Sequence, residues 1–217
     1  MQTRRESRRA FLQQTGLVGL ALMVPSTVGC VRAPPGLGAT DGLPQARPED
    51  WDAVDFNQRR GAAGAIPTGY MRKINAPDGI TQHLGKHLPY VPRFEQTPSG
   101  MLALMWGDPS RGYARHPNAA ASPELPTGHW YDWIRLRRAT EEQTQEVESR
   151  YSDWPLAQAS DSGRYAALEG SDPAQDRGEN TIYLVALPAD ARPGEWLRVH
   201  GHCLTHGEYV DFIRVPA

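Results

Sequence analysis

The sequence is poor in cysteine and lysine and carries little excess charge. Its 217 residues include two Cys, Cys30 and Cys203, and only Lys73 and Lys86 among the 23 basic side chains are Lys. Two cysteines exclude a four-cysteine metal centre. A net charge of −2 at pH 7 offers no basic surface of the kind that binds nucleic acid. The sequence also has no Gly-rich nucleotide loop and no nucleophile elbow.

Glycine and proline are abundant by contrast, with 21 and 19 residues, and 39% of the chain is hydrophobic. This composition favours one domain of short strands joined by turns. Apolar or aromatic runs bounded by turn residues predict five strands, at Met101–Trp106, His129–Arg137, Thr181–Leu187, Glu195–Cys203 and Tyr209–Val215. One short helix is predicted over Thr140–Tyr151, where Thr140 and Gln143 form a capping box. The expected fold is therefore all-β, a sandwich with one short inserted helix.

The N-terminus has the pattern of an export signal. Ser7–Gln13 resembles the twin-arginine motif, and the apolar stretch Gly16–Pro25 is too short for a permanent bilayer span. We expect residues 1–30 to be a signal peptide and the protein to be periplasmic or membrane-anchored outside the cytoplasm. Gly29-Cys30 resembles a lipoprotein cleavage site, although Thr27 stands where such sites usually have Leu. Lipidation of Cys30, an unlipidated Cys30 and a disulfide to Cys203 are all left open.

The remaining chain divides into an arm and a domain. Residues 31–68 are rich in Pro, Gly, Ala and Asp without sustained periodicity, which indicates a linker or extended arm. Trp51, Val54 and Phe56 are candidates to attach part of that arm to the domain, which is expected over residues 69–217.

Five side chains of metal-ligand type occur in suggestive local contexts. They are His87 in Gly85-Lys86-His87-Leu88-Pro89, His116 before Pro117, His129 at the start of an aromatic strand, and Cys203 and His206 in Cys203-Leu204-Thr205-His206-Gly207. Each motif alone is weak evidence, because a single His beside Pro or a single Cys-x-x-His often has no ligand role. Strand alternation places Cys203 with Leu197 and Val199 on an inward face. His200 and His202 fall on the other face and His83 in a loop, so none of these three is expected to be a ligand.

Taken together and in this order, the motifs resemble the superoxide reductase family, the iron domain also found in desulfoferrodoxin and neelaredoxin. The resemblance covers about residues 80–217 and is confined to the motifs. It implies a seven-stranded immunoglobulin-like β-sandwich. It also implies one iron, cycling between Fe(II) and Fe(III), held by four imidazoles and one thiolate with a sixth position open. The implied ligands are His87, His116, His129, Cys203 and His206.

The same resemblance implies reduction of superoxide to hydrogen peroxide. Lys86, as the residue before the first ligand, would attract the superoxide anion to the iron. An external electron donor is required, because a second iron centre would need four further cysteines. Family members are often oligomeric, and the sequence leaves the oligomeric state open.

Three departures from the family pattern stand out. Gly85 replaces the Glu that caps ferric iron in many members. His116 and His129 are thirteen residues apart, with Ala119–Thr127 as the extra stretch. The interval between His129 and Cys203 is long, and its insert at 137–180 could either cover the site or bind a partner.

Two other classes of protein remain open on the sequence. A cupredoxin-like copper carrier also has Cys-x-x-His near the end of a β-sandwich, but it usually adds an axial Met, and no Met follows Met105. A non-catalytic iron- or zinc-binding protein would need the same ligands without the reaction.

Overall fold

The computed structural model describes residues 42–140, 142, 145–156 and 162–217. The expected signal peptide, Cys30 and the first part of the arm lie outside these residues. No helix within them has the length and hydropathy required to span a bilayer.

The described chain forms two four-stranded antiparallel sheets, which confirms the predicted all-β sandwich of immunoglobulin-like type. One sheet has the order β1-β2-β6-β5 and the other β4-β3-β7-β8. The strands are β1 Pro89–Tyr90, β2 Met101–Trp106, β3 Tyr131–Arg138, β4 Val147–Arg150, β5 Arg164–Ala167, β6 Thr181–Ala186, β7 Trp196–Cys203 and β8 Gly207–Arg214. These described strands number eight, one more than the resemblance implies. All five predicted strands are present.

Alternating residues of the two sheets fill the space between them. Leu197, Val199 and Cys203 of β7 are fully buried in this core, as the alternation predicts. The ring of Trp106 stacks on that of Tyr131 across the two sheets, with centroids 3.8 Å apart and planes 6° apart. Burial of an aliphatic side chain such as Leu197 or Val199 stabilises the fold by about 1.5–3 kcal/mol.

The helix predicted over Thr140–Tyr151 is wrong. Val147–Arg150 form β4, which pairs with β3 so that Val147 lies opposite Leu136. Ser149 is buried and accepts a hydrogen bond from the backbone N–H of Ala186 at 2.9 Å. The hydroxyl of Tyr151 donates to the Leu184 carbonyl, also at 2.9 Å. These hydrogen bonds between the two sheets outweigh the capping box of Thr140 and Gln143, because an N-cap stabilises a helix by only about 1 kcal/mol.

Three short helices instead precede the first strand: α1 Ala53–Ala62, α2 Thr68–Asn75 and α3 Thr81–Gly85. Asp52 caps α1 by accepting hydrogen bonds from the N–H groups of Val54 and Asp55. The side chain of Asn57 donates to the Val210 carbonyl at 2.7 Å and accepts from the Val210 N–H at 2.8 Å. These bonds attach α1 to the free edge of β8, the last strand of its sheet.

Trp51 also connects the arm to the sandwich. Its indole N–H donates to Asp211 at 2.8 Å, and its ring meets Phe212 edge-on at 4.8 Å. The part of the arm that includes Trp51 and α1 is thus packed on the domain.

Candidate metal centre

The structure brings all five predicted ligands together at one end of the sandwich. Each offers one nitrogen or sulfur, and these atoms all lie within 4.8 Å of one another. Four of the five side chains are buried and that of His206 is partly exposed. The group, comprising His87, His116, His129, Cys203 and His206, could hold one metal ion.

The sandwich positions Cys203 and His206. Cys203 is the last residue of β7 and lies opposite Tyr131 of β3. The chain then turns through His206 to Gly207, the first residue of β8, whose φ is +86°. A Cβ at position 207 would lie 2.2 Å from the Ala65 carbonyl oxygen, so only glycine fits this turn.

His87 and His116 come from two segments that both lie at the C-terminal end of β2, where Pro89 pairs with Trp106. His87 lies between α3 and β1, and the hydroxyl of Tyr131 donates to its carbonyl at 3.4 Å. The backbone N–H of His116 donates to the carbonyl of Trp106, the last residue of β2, at 2.8 Å. Both imidazoles are thereby tied to the core.

His129 is held by a backbone bridge that closes the long loop after His116. Its N–H donates to the Ala119 carbonyl at 2.8 Å, and the Ala119 N–H donates back to its carbonyl at 3.0 Å. The residues between them project beyond this bridge. The thirteen-residue spacing is therefore compatible with convergence of the two imidazoles.

The ring nitrogens point at a common centre. Nδ1 of His206 is 3.0 Å from Nε2 of His87 and 3.0 Å from Nε2 of His129. Sγ of Cys203 is 3.9 Å from the same nitrogen. His116 stands tilted beside His129, with ring centroids 4.3 Å apart.

Burial keeps the four imidazoles neutral. Loss of solvation, followed by the charge of Lys86, lowers the pKa of His129 to about 4. Burial and then the charge of His129 lower the pKa of His206 to about 3. Burial also lowers the pKa values of His87 and His116 well below the usual range. Neutral imidazoles are the form that binds metals.

Cys203 is fully buried, and burial raises the pKa of its thiol to about 12. The thiol is therefore protonated at neutral pH unless a cation replaces the proton. Since only the thiolate is a metal ligand, loading of this site has to release that proton.

The unpaired nitrogens of His116 provide a test of whether a metal fits. His116 is 3% exposed, and neither of its ring nitrogens has a hydrogen-bond partner within the described structure. Buried polar atoms without partners are rare because they cost free energy. A cation at the centre of the group would accept a nitrogen lone pair, so the residues fit a metal ion.

We compared the chain with known protein families, characterised proteins and solved structures. None of them matches. The function of the chain has to be inferred from the residues of the site itself.

Lys86, the other predicted functional residue, lies at the C-terminal end of α3 and is partly buried. Burial lowers the pKa of its ammonium, whereas the nearby carboxylate of Glu179 acts in the opposite direction. Burial is the largest cause of the lowered pKa of each of the four imidazoles, and the Lys86 charge is a further cause for all four. Its ammonium therefore lies within electrostatic reach of the whole group.

Gly85 has a steric reason to be glycine. A Cβ at this position would lie 1.9 Å from Cγ of Tyr113, inside the tyrosine ring. The Glu found here in many members of the resembling family would require Tyr113 to move.

The insert at 137–180 contributes structure to both sheets. β4 and β5 within it form one edge of each sheet. Its last residues contact the segment after His116, because the Asn118 N–H donates to the Arg177 carbonyl at 3.1 Å. The Asn118 side chain also donates to the Gly178 carbonyl, at 2.7 Å. The insert thus supports a ligand-bearing loop.

The remaining histidines are outside the ligand group, as predicted. His83 lies in α3, where a loop was expected. His200 is fully buried on the outer face of β7, with Nε2 3.0 Å from Glu208. His202 is partly exposed, with Nδ1 2.6 Å from Asp132.

Two aromatic neighbours of the candidate ligands, Tyr209 and Tyr70, were not predicted from the sequence. Tyr209 stacks on His87 at 4.4 Å, and its hydroxyl donates to the His206 carbonyl at 3.2 Å. Tyr70 of α2 contacts His87 and His206. The apolar spacing of Tyr70, Met71 and Ile74 indicates a helix face, but nothing in that pattern indicates what the face contacts.

Proposed function

We propose that the protein binds one iron ion through His87, His116, His129, Cys203 and His206 and reduces superoxide to hydrogen peroxide. The observation that carries the proposal is the convergence of four neutral imidazoles and one buried thiol on one centre. The order of the motifs, which resembles the superoxide reductase family, supports the same conclusion.

The ligand set favours iron over the alternatives. Structural zinc sites are almost always four-coordinate, whereas this group offers five ligand atoms. Blue-copper sites use two imidazoles, one thiolate and a weak axial ligand, whereas this group has four imidazoles and no thioether. Imidazoles together with a thiolate suit Fe(II), and five protein ligands would leave a six-coordinate ion one position for a small substrate.

An Fe(II) ion bound there would supply one electron to superoxide and become Fe(III). With that electron and two protons from solvent, superoxide would become hydrogen peroxide. With a metal bound, Cys203 as thiolate would contribute negative charge to the centre, and the neutral imidazoles would contribute none. Fe(II) with this ligand set would carry a net charge of +1, which attracts an anion. An external reductant must then restore Fe(II).

The ammonium of Lys86 adds to this attraction. It is a compact cation within electrostatic reach of the ligand group, and a field of this sign raises the encounter rate of an anion. Its position beside His87 makes it the residue assigned to guide superoxide towards the iron.

The decisive experiment combines metal analysis with pulsed superoxide. The purified chain, loaded anaerobically with Fe(II), should hold one iron, develop a thiolate-to-iron absorption on oxidation and consume superoxide with formation of peroxide. A chain that retains zinc or copper in preference to iron, or that binds iron without reacting, would contradict the proposed function.

Lys86→Ala tests the guiding role against a matched control. It should slow the reaction with superoxide roughly tenfold and weaken its dependence on ionic strength. Lys73→Ala removes the only other lysine, which is exposed on α2, and should have a smaller effect. Equal rates for the two variants would exclude Lys86 from this role.

A further inference from the structure

Tyr70 belongs to α2, outside the segment that carries the metal-ligand motifs. It is 7% exposed and packs in a small apolar cluster with Ile66, Met71, Ile74 and Tyr209. A phenylalanine would fill this cluster equally well, so packing alone does not explain the hydroxyl.

The tyrosine contacts two of the five ligands. Its ring stacks on the imidazole of His206, with centroids 4.0 Å apart and planes 25° apart. It stands edge-on to His87 at 5.3 Å and 77°. Its hydroxyl donates to the His83 carbonyl at 3.2 Å and lies 3.3 Å from Nδ1 of His87.

The two nitrogens of His87 have different surroundings. Nε2 faces the centre of the group, 3.0 Å from Nδ1 of His206. Nδ1 faces Tyr70. If Nε2 binds the metal, the proton of the neutral imidazole resides on Nδ1. The Tyr70 proton is directed to the His83 carbonyl, so the tyrosine oxygen is available to accept from Nδ1–H.

From this geometry we infer that Tyr70 is a positioning residue of the metal centre, holding His87 in its Nδ1–H form and fixing the plane of His206. Hydrogen bonds to the distal nitrogen of a ligating His fix its tautomer and orientation and raise its basicity. Helix α2 is then part of the metal-binding unit. The inference depends on the metal binding in the proposed function and is independent of the reaction with superoxide.

Tyr70→Phe in the full chain removes the hydroxyl and keeps the stacked ring. Loss of such a partner typically lowers metal affinity by about 10–100-fold. We expect a decrease in that range, measured by competition with a chelator for Fe(II) and for Zn(II). Tyr70→Ala removes the ring as well and should weaken binding further.

Tyr90→Phe is the matched control. It makes the same chemical change at a partly buried tyrosine whose hydroxyl donates to Met105 at 3.4 Å, in a different cluster. It should leave metal affinity unchanged. Thermal unfolding of the metal-free variants would show whether either substitution acts through general stability.

A second readout separates positioning from packing. In Zn(II)-loaded protein, the Nδ1–H proton of His87 should exchange slowly with solvent, as followed by ¹⁵N-edited NMR, and should exchange faster in Tyr70→Phe. Unchanged affinity together with an unchanged exchange rate would overturn the inference. Wild-type protein that binds metal without reducing superoxide would contradict only the proposed reaction, whereas absence of metal binding would overturn both.

Discussion

The ligand group and the outer face of β7 both contain buried histidines, but the surroundings of these histidines differ. On the outer face, His200 meets Glu208, which also pairs with Arg60 at 3.0 Å. In the ligand group the imidazoles meet one another, a neutral thiol and the charge of Lys86, and the group contains no carboxylate. The carboxylate of Glu208 satisfies Nε2 of His200, although Nδ1 of that ring has no hydrogen-bond partner in the described structure. The converging nitrogens of the ligand group have no carboxylate partner, and a cation would satisfy them.

Acid should affect the ligand group most. Its imidazole pKa values are lowered in the fold, so the unfolded chain binds more protons and stability falls as pH drops below the unfolded value of 6.5. The shift of His129 to about 4 alone corresponds to about 3 kcal/mol. Urea unfolding of metal-free protein from pH 7 to pH 4 should show a loss of at least this size.

Metal should oppose that loss, because it binds the folded state and competes with protons for the same nitrogens. The loaded protein should therefore keep its stability to lower pH than the metal-free protein. A free energy of unfolding that stays flat down to pH 4 in the metal-free protein would remove the electrostatic distinction between the two regions.

Cys203→Ser should have the next largest effect. It replaces a thiolate donor with a hydroxyl, and we expect a loss of metal affinity on the order of 100-fold or more, since even the partners of ligands contribute about 10–100-fold. Metal analysis and the thiolate-to-iron absorption measure this change. Persistence of both metal and absorption in the variant would show that the ligand assignment is wrong.

Glu208→Gln tests the outer face. The carboxylate is partly buried, which raises its pKa, but its contacts with His200 and Arg60 outweigh burial and lower the pKa overall. The substitution should reduce the free energy of unfolding at pH 7 by about 1–3 kcal/mol and leave metal content unchanged. Loss of metal without loss of stability would contradict the separation of the two regions.

His202→Asn should have the smallest effect. Its side chain is 29% exposed and pairs with Asp132, which is 31% exposed. A pair that is this accessible typically contributes less than about 1 kcal/mol. Although residue 202 adjoins Cys203, its side chain points to the opposite face of β7, so metal affinity measured by chelator competition should stay within twofold of wild type.

Most of the sandwich could be predicted because burial enforces a period of two on its strands. Apolar residues are continuous in β2 and alternate in β7, and turn residues bound both strands. The predicted ends of these two strands agree with the structure within one residue. The β4 residues were predicted to be helical because Thr140 and Gln143 form a capping box ahead of them, and only Val147 among the four is strongly apolar. The assignment of β4 depends on pairing with β3 and on the hydrogen bond from Ala186 to Ser149, which no local pattern contains.

The sequence by itself identified the candidate ligands as one cysteine and four histidines, because each of these residues occurs in a short motif that can be recognised locally. Tertiary structure alone decided their surroundings. Tyr70 reaches His87 and His206 only because α2 packs against the end of the sandwich. Gly85 faces the ring of Tyr113, twenty-eight residues away. Contacts between segments this distant depend on how helices and sheets pack, and periodicity along the chain records which face is buried but not what covers it.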